Sequence, residues 1–356
     1  MPPRFAWAIV PLAVAFGLCA GCGRSNKEGD KKDGDKARYA FLSNNIHGFW
    51  TYAQRGAEKA GKELGVEVDF ERPDPDTLTR QQQIIEDLLL RGINGFAVSP
   101  NDPSNMVAFL KTNPKIAKIP VIAADNDLPD PTARKCYIGT HNYRAGRAAG
   151  ELVKKALPKG GRIAIFVGHM VATNAKERRQ GVLDVLAGIE RTEMGEMTPA
   201  DAKDEAFGPY VLVETRTDGG KETACQEKAE DLLRSGVKID CLVGLWEYNP
   251  PALLRAVDTV VKSGAKPAIV AFDENFQTME AIQADRIIGS VAQDPFKFGY
   301  LSIKALDTLH KGQDLKKMIE GEKLTLDAEN RCYVPHTVVT KANVNAFYER
   351  LKELRK

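Results

Sequence analysis

The chain has 356 residues, 43% of them hydrophobic, and a formal net charge of +2 at pH 7. It is long enough for about two domains with ordinary hydrophobic cores. A near-neutral charge without a long basic stretch argues against a nucleic-acid surface, so no nucleic acid is expected as a partner. The cysteines lack zinc-type spacing, and we expect no metal site.

The first 21 residues have the pattern of a secretory signal peptide. Arg4 is the only charge before an apolar run over residues 5–18, which is too short to span a membrane comfortably. Small residues follow, and Ala20-Gly21-Cys22 resembles a bacterial lipobox, in which a lipid is attached to the cysteine. We expect lipidation of Cys22, with export by a plain cleaved signal as the alternative. Both interpretations place the protein outside the cytoplasm, in the periplasm or cell envelope.

Residues 22–37 are predicted to form a flexible tether between the lipid and the folded protein. Residues 23–36 contain no apolar side chain. Such a segment cannot bury enough surface to offset the entropy lost on ordering. The protein would then contact the membrane through its lipid anchor only.

From residue 38 onward, short apolar strands alternate with helices. The strands predicted in the first half are 38–42, 67–70, 95–98 and 120–124, and the helices between them are 56–65, 79–90 and 106–111. Strands joined by helices of this length favour a parallel sheet that is covered on both faces.

The second half repeats this plan. Residues 162–167 are similar to the first strand, 230–236 to 86–92, and 266–273 to 118–125. Three similar segments in the same order predict two doubly wound α/β domains, joined by a three-stranded hinge with a ligand cleft between them. We expect one domain to comprise 38–140 with 295–332, and the other 141–294 with 333–356. A polar insertion near 190–210 is expected at the surface.

The candidate ligand-binding residues follow the predicted strands, because open α/β sheets bind ligands beyond the carboxyl ends of their strands. They are polar or aromatic side chains, namely Ser43, Asn44, Asn45, His47, Phe49, Trp50, Asp125, Asn126, Asn174, Arg178, Trp246, Tyr248, Asn249, Asp273 and Asn275. From this set we expect the ligand-binding site to comprise Ser43, His47, Phe49, Trp50, Asp125, Asn126, Asn174, Arg178, Trp246 and Asp273. Asn249 and Asn275 are the weaker candidates. Core packing is the alternative for Phe49 and Trp50, and helix capping for the two aspartates. Arg179 is expected to be solvated.

In these segments the chain resembles periplasmic sugar-binding proteins of the ribose/galactose type, the solute receptors of ABC importers. Residues 43–50 resemble the family's first loop, 120–125 its IPVI-x-x-D segment, 175–181 its A-x-E-R-x-x-G helix start, 270–273 its V-x-F/Y-D strand, and 290–295 its A-Q-x-P hinge segment.

The resemblance implies a type I periplasmic binding fold with Arg178 in the site and Gln293 touching the ligand. Asn126 stands where ribose binders carry Arg, and Trp246 where a ribose-type receptor has Asn, so ribose is not assumed. It also implies a membrane permease as partner, and we expect a monomer.

The chemistry of the candidate residues suits a sugar. Asp125 and Asp273 can accept hydrogen bonds from vicinal hydroxyls while Arg178 donates. The CH faces of a sugar pack on aromatic rings. We therefore expect the ligand to be a monosaccharide or a similar polyol, without a cofactor.

Other functions compete with this interpretation. Paired carboxylates also occur in glycosidases, but the sequence has no nucleophile elbow, metal triad or phosphate loop, so no catalysis is expected. A sugar-responsive repressor would need DNA-binding helices where this chain has a signal and tether. A sensor that presents its closed form to a membrane kinase or chemoreceptor stays open as the alternative.

Four cysteines follow the lipobox. Cys136 and Cys332 lie in two similar segments that enter the presumed hinge. If these strands are neighbours, the two cysteines could form a disulfide, which an oxidising compartment permits. Free thiols are the alternative.

Overall fold

The computed structural model describes residues 36–355. The predicted signal peptide, Cys22 and residues 22–35 of the predicted tether lie outside the described residues. No helix within 36–355 is both long and apolar enough to cross a membrane.

Two β-sheets with helices on their faces organise the described chain. The first half contributes β1 (Arg38–Leu42), α1 (Phe49–Leu64), β2 (Glu67–Glu71), α2 (Leu78–Leu90), β3 (Gly95–Val98), α3 (Pro103–Thr112), β4 (Val121–Ala124) and β5 (Cys136–Gly139). The next elements are α4 (Asn142–Ala156), β6 (Gly161–Val167), α5 (Thr173–Leu186), β7 (Glu205–Phe207), β8 (Tyr210–Thr217), α6 (Glu222–Arg234), β9 (Cys241–Gly244), α7 (Asn249–Val260), β10 (Ala268–Phe272), α8 (Phe276–Gln283) and β11 (Gly289–Ala292). The chain ends with α9 (Pro295–His310), α10 (Leu315–Gly321), β12 (Arg331–Tyr333), β13 (Thr337–Thr340) and α11 (Val344–Arg355).

The first sheet has the strand order β12-β5-β4-β3-β1-β2, and all its strands are parallel. The second sheet has the order β13-β11-β10-β9-β6-β8-β7. The central strands β3, β4, β5 and β9 are fully buried, as expected for strands covered on both faces. The predicted doubly wound α/β fold with two parallel sheets is confirmed.

The two edges of the second sheet differ from the prediction of purely parallel sheets. β7 runs antiparallel to β8, and β13 runs antiparallel to β11. β7 ends the predicted insertion and turns into β8 at Gly208, whose φ of 59° suits a tight turn. A turn this short can join only antiparallel strands, because parallel strands need a long crossover.

The chain passes between the two sheets at three places. It leaves the first sheet after β5, returns to it after β11, and leaves it again after β12. Helix α9 packs on the first sheet, where Phe298 and Leu301 share a core with Tyr39 and Phe41. The carboxyl ends of both sets of strands therefore lie next to the crossings.

Helix α1 begins seven residues earlier than the sequence predicted. Its first residues are Phe49 and Trp50. The residue before them, Gly48, has no side chain that could cap the helix. A start without a capping side chain leaves no signal in the sequence. Both aromatic residues consequently lie in the first turn of a helix instead of in a loop.

Glycines allow the helices beside the crossings to touch. A Cβ atom on Gly146 of α4 would lie 2.1 Å from the carbonyl oxygen of Arg178, and one on Gly181 of α5 would lie 2.3 Å from that of Tyr143. The same close contact occurs between α1 and α9 at Gly56 and Gly299. In the second half this contact sets the position of Arg178.

The predicted bridge between Cys136 and Cys332 is wrong, because both are free and buried. Their strands are neighbours, as expected, but the register pairs Cys332 with Ile138. Cys136 is thus offset by two residues, which puts the two Cα atoms about 8 Å apart, given a rise of ~3.3 Å per residue and a strand spacing of ~4.8 Å. A disulfide does not span that separation without backbone movement.

Candidate functional site

A cavity lies between the carboxyl ends of the two sheets. The empty space between its walls, including the part that is open to solvent, is about 370 Å³. It is lined by Asn44, Asn45, His47, Phe49, Trp50, Asp125, Asn174, Arg178, Trp246, Glu247, Tyr248, Asp273 and Gln293. The structure therefore brings together the predicted residues His47, Phe49, Trp50, Asp125, Asn174, Arg178, Trp246, Asp273 and Gln293.

Two predicted residues, Ser43 and Asn126, lie behind the cavity wall. The Ser43 hydroxyl donates to the carbonyl of Asn45 at 2.8 Å, which holds the loop after β1. The Asn126 amide donates to the carbonyl of Pro100 at 2.7 Å and accepts from the backbone N–H of Asn174 at 3.3 Å. Both side chains position residues of the cavity without lining it.

Four lining residues were not among the residues chosen from the sequence as the site. Asn44, Asn45 and Tyr248 were in the wider set of candidates, whereas Glu247 was not considered. Glu247 follows the end of β9 by three residues and stands between two aromatic candidates. Consistent use of the strand-end rule would have found it.

The two aspartates occupy equivalent positions in the two sheets. Asp125 directly follows β4 and Asp273 directly follows β10, with left-handed backbone φ values of 60° and 66°. Such values are uncommon outside glycine. The carbonyl of Asp125 accepts from the Tyr137 hydroxyl at 2.8 Å, and that of Asp273 from the Ser290 hydroxyl at 2.6 Å. The same backbone turn therefore points both carboxylates into the cleft.

Arg178 is a fixed cation between these carboxylates. Its Nε donates to Oδ1 of Asn142 at 2.8 Å and its Nη1 to the carbonyl of Leu245 at 3.0 Å. Its Nη2 and Nη1 lie 3.8 Å from oxygens of Asp125 and Asp273, respectively. The guanidinium stacks 4.1 Å from the centre of the Phe272 ring. With 2% of its surface exposed, Arg178 belongs to the site and is not a solvated helix residue.

The prediction that Arg179 is solvated is wrong. Arg179 is fully buried, and its guanidinium donates to Oγ1 of Thr215 and to the carbonyls of Thr198 and Pro199, each at 2.8 Å. Helix α5 is covered on this side by the insertion that precedes β7. Arg179 thus fixes the insertion, while the neighbouring Arg178 serves the cavity.

Burial disfavours negative charge in this cavity. It raises the pKa of Asp125 and of Asp273, and the nearby Arg178 guanidinium opposes both shifts. Burial also raises the pKa of Glu247, and a hydrogen bond of 2.7 Å from the Asn275 amide opposes that shift. The acids are therefore poised to gain from a ligand that donates hydrogen bonds or carries positive charge.

Aromatic rings form the walls. Phe49 and Trp50 meet edge to face at 5.0 Å, and the Trp50 Nε1 donates to Asn44 at 3.0 Å. Trp246 and Tyr248 also meet edge to face, at 6.2 Å. A Cβ atom added to Gly168 would lie 1.9 Å from a carbon of the Trp246 indole ring. A glycine after β6 thus makes room for this wall.

Several contacts cross the cleft and close it. The His47 ring stacks on Tyr248 with 4.7 Å between centroids, and its Nε2 lies 3.0 Å from the carbonyl of Gly220. The Asn174 amide donates to Asp125 at 3.4 Å. The structure is therefore the closed arrangement of the two halves.

Four residues that line the cavity each carry a buried polar atom with no hydrogen-bond partner in the described part of the chain. These atoms are the donors Arg178 Nη2 and Trp246 Nε1 and the acceptors Asn174 Oδ1 and Gln293 Oε1. Buried polar groups normally have partners, since leaving one unpaired costs about 1–3 kcal/mol. Two donors and two acceptors around one small space suit a ligand with several hydroxyl groups, because a hydroxyl both donates and accepts.

Comparison with known proteins agrees with this geometry. A solute-binding protein of an ABC transporter from Burkholderia graminis, solved in complex with D-arabinose, is 25% identical, with a TM-score of 0.74 over 88% of this chain and 99% of that chain. A solute-binding protein from Bacillus halodurans with bound myo-inositol has the same fold, with 20% identity and a TM-score of 0.74 over 89% of this chain and 99% of that chain.

Relatives by sequence point the same way. The ribose import binding protein RbsB of Bacillus subtilis is 22% identical over 273 residues, which cover 77% of this chain and 81% of the relative. A putative rhizopine-binding protein of Rhizobium meliloti is 22% identical over 306 residues, 84% of this chain and 88% of the relative. Residues 39–314 match the periplasmic binding protein domain. The resemblance found in the sequence is confirmed, and the chain belongs to the periplasmic binding protein family.

Proposed function

We propose that this protein is an extracytoplasmic solute receptor that binds a monosaccharide or similar polyol and delivers it to an ABC importer. The observation that carries the proposal is a cavity lined by aromatic rings, two aspartates and four residues that each carry an unpaired buried polar atom. Small-molecule sites combine apolar walls with a few placed polar groups in this way.

The chemistry of the cavity supports binding without catalysis. Proteins of this family are receptors, and the two aspartates are held by Arg178 and by hydrogen bonds from Ser99 and Gln293. Delivery to an importer is favoured over presentation to a membrane kinase, because ribose import proteins are among the relatives.

The proposal includes a division of the chain into two bodies that close on the ligand. One comprises 38–140 with 295–332, and the other 141–294 with 333–356. The three crossings would act as the hinge, and His47, Asn174 and Tyr248 would make the contacts of the closed state.

A lipid on Cys22 would hold this receptor at the membrane as a monomer, after removal of a signal peptide over residues 1–21. Support comes from the lipobox-like Ala20-Gly21-Cys22 and the polar segment behind it. Mass spectrometry of the N-terminal peptide from a membrane fraction tests this: an unmodified Cys22 would contradict it, and sedimentation would reveal the oligomeric state.

The function is tested by a thermal-shift screen against pentoses, hexoses and cyclitols. A ligand that binds only the folded state raises the melting temperature, so at least one compound should do so in a saturable manner. The matched control is Asp273→Ala, which should remove the shift. If no member of the panel shifts the melting temperature of the folded protein, the proposal fails.

A further inference from the structure

The cavity carries an excess of acidic groups. Its ionisable lining side chains are three carboxyls (Asp125, Asp273 and Glu247), one guanidinium (Arg178) and the imidazole of His47. Three carboxyls therefore face a single guanidinium.

The acidic groups differ in how their charge is balanced. Arg178 lies 3.8 Å from both Asp125 and Asp273, so one cation serves the pair. Glu247 has only a neutral donor, the Asn275 amide at 2.7 Å, and no lysine or arginine within residues 36–355 lies within ion-pair distance of it. His47 and Arg355 oppose the rise in the pKa of Glu247, but neither forms an ion pair with it. Glu247 is therefore the lining carboxyl without a close cationic partner.

A fourth carboxyl lies beside the cavity but does not add to its charge. Glu274 is 3% exposed, directly follows Asp273 in the chain, and both of its oxygens lack partners in the described residues. It lies in a second pocket that shares Gln293 with the cavity. Burial and repulsion from the neighbouring acids raise the pKa of Glu274 well above its ordinary value, so this carboxyl favours its neutral form.

A metal ion does not fit these acids. Within residues 36–355, no three His, Cys, Asp or Glu side chains converge as metal ligands. The cavity is instead walled by Phe49, Trp50, Trp246 and Tyr248. Aromatic faces beside a carboxylate suit an organic ammonium, which gains from both the ring quadrupole and the charge.

We propose that the ligand of this cavity is a polyol that carries a protonated amine, an amino sugar or an amino cyclitol, with its ammonium group at Glu247. The inference rests on the proposed function and names the substrate class of the same site. The hydroxyls pair with Asp125, Asp273 and Arg178, and the ammonium supplies the counter-charge that Glu247 lacks. Burial raises the pKa of Glu247, because the buried carboxylate loses its hydration. A bound ammonium would offset this cost.

Calorimetry with matched pairs tests the proposal. The pairs are D-glucosamine with D-glucose, D-galactosamine with D-galactose, and an inosamine with the corresponding inositol. N-acetyl-D-glucosamine serves as a form in which the nitrogen is part of an uncharged amide. In at least one pair the amine should bind about tenfold or more tighter than the neutral partner, and acetylation should remove the advantage in the glucosamine pair.

The variant Glu247→Gln sharpens the test. It should lower the affinity for the amine about tenfold or more while changing the affinity for the neutral partner by less than threefold. Glu227→Gln, at an exposed position on α6, is the matched control and should change neither. If Glu247→Gln does not fold, the affinities of the wild-type protein for the amines, their neutral partners and the acetylated sugar still test whether the charged amine is preferred.

Two results would overturn the inference. One is neutral partners binding as tightly as the amines in every pair, which would leave the sugar-receptor function intact. The other is an amine preference that survives in Glu247→Gln. If no sugar or cyclitol binds in either form, the proposed function itself fails, and this inference fails with it.

Discussion

Arg178 links the two halves of the cavity through the carboxylates on either side of it. Its Nε and Nη1 are used by Asn142 and Leu245, while Nη2 has no partner and lies 3.8 Å from Asp125. A lysine cannot replace this arrangement, because an ammonium is a single point charge without the planar fork.

We expect Arg178→Ala to weaken sugar binding by about 2–4 kcal/mol, because truncation leaves two buried carboxylates and the ligand hydroxyls without their donor. Isothermal titration with the best compound from the screen measures the loss. Lys176→Ala, on the same helix, is the control. Equal losses for the two variants would show that Arg178 does not face the ligand.

Glu274 makes the stability of the protein depend on pH. Burial raises its pKa well above the ordinary value, and repulsion from Asp273, Glu247 and Asp294 adds to the shift. The folded state thus keeps this proton to a higher pH than the unfolded chain does. The stabilising contribution is complete below the unfolded pKa and is lost as the pH rises through the folded pKa.

Glu274→Gln should therefore stabilise the protein more at pH 8 than at pH 5, because the glutamine removes a carboxyl that is costly to ionise when it is buried. Urea unfolding of both proteins at the two pH values measures the difference. Glu196→Gln, at an exposed position, should show none. A Glu274→Gln effect that is the same at both pH values would contradict this account.

The roles of single residues could be predicted only in part. Asp125 and Asp273 were found because a repeat places each directly after a strand. Arg178 was found from the resemblance, but Arg179 was misjudged, because the sequence does not show that the insertion covers the other side of α5. Ser43 and Asn126 follow strands too, yet their side chains turn toward the backbone.

At the scale of elements, the contact between α4 and α5 supports the site. Gly146 touches the backbone of Arg178, and Gly181 touches that of Tyr143. The two helices pack without side chains between them at these points, so a small change in either would move Arg178. Cores of this density transmit such shifts.

We expect Gly146→Ala to destabilise the protein by about 1–3 kcal/mol, because its Cβ would meet the Arg178 carbonyl at 2.1 Å. It should also weaken sugar binding. Gly321→Ala, at the end of α10, has no atom within 4 Å of the added Cβ and should be neutral or slightly stabilising. Urea unfolding distinguishes the two, and equal stabilities would contradict the predicted packing.

Most strands and helices could be predicted, because apolar strands alternate with helices that end at glycine. The start of α1 could not, since Gly48 offers no capping side chain. The register of β5 and β12 also could not be predicted. Cys136 is the first of four residues in β5 and Cys332 the second of three in β12, and strands this short do not fix their own alignment. A shift of two residues keeps the same face of the sheet and leaves no trace in the hydrophobic pattern.

At the scale of the whole molecule, direct contacts span the cleft beside the cavity. They include the stacking of His47 on Tyr248 and the hydrogen bond from Asn174 to Asp125, while four of the lining residues carry unpaired buried polar atoms. A ligand would add contacts from both sides at once. It should therefore shift the population toward the closed state.

Small-angle scattering should accordingly show a smaller radius of gyration with saturating sugar than without it. His47→Ala should reduce the closed population of the ligand-free protein, because it removes a contact across the cleft. An unchanged radius at saturation, in a protein that calorimetry shows to be fully bound, would contradict hinge closure.

The most direct test of the central claim is a crystal structure with the tightest-binding compound from the sugar and cyclitol screen. We expect the compound to lie in the cavity between the two sheets. Its hydroxyls should bond to Asp125, Asp273 and Arg178 and its ring should lie between the aromatic walls, with the four unpaired atoms satisfied. A compound bound outside this cavity, or one that leaves both aspartates without contact, would contradict the account.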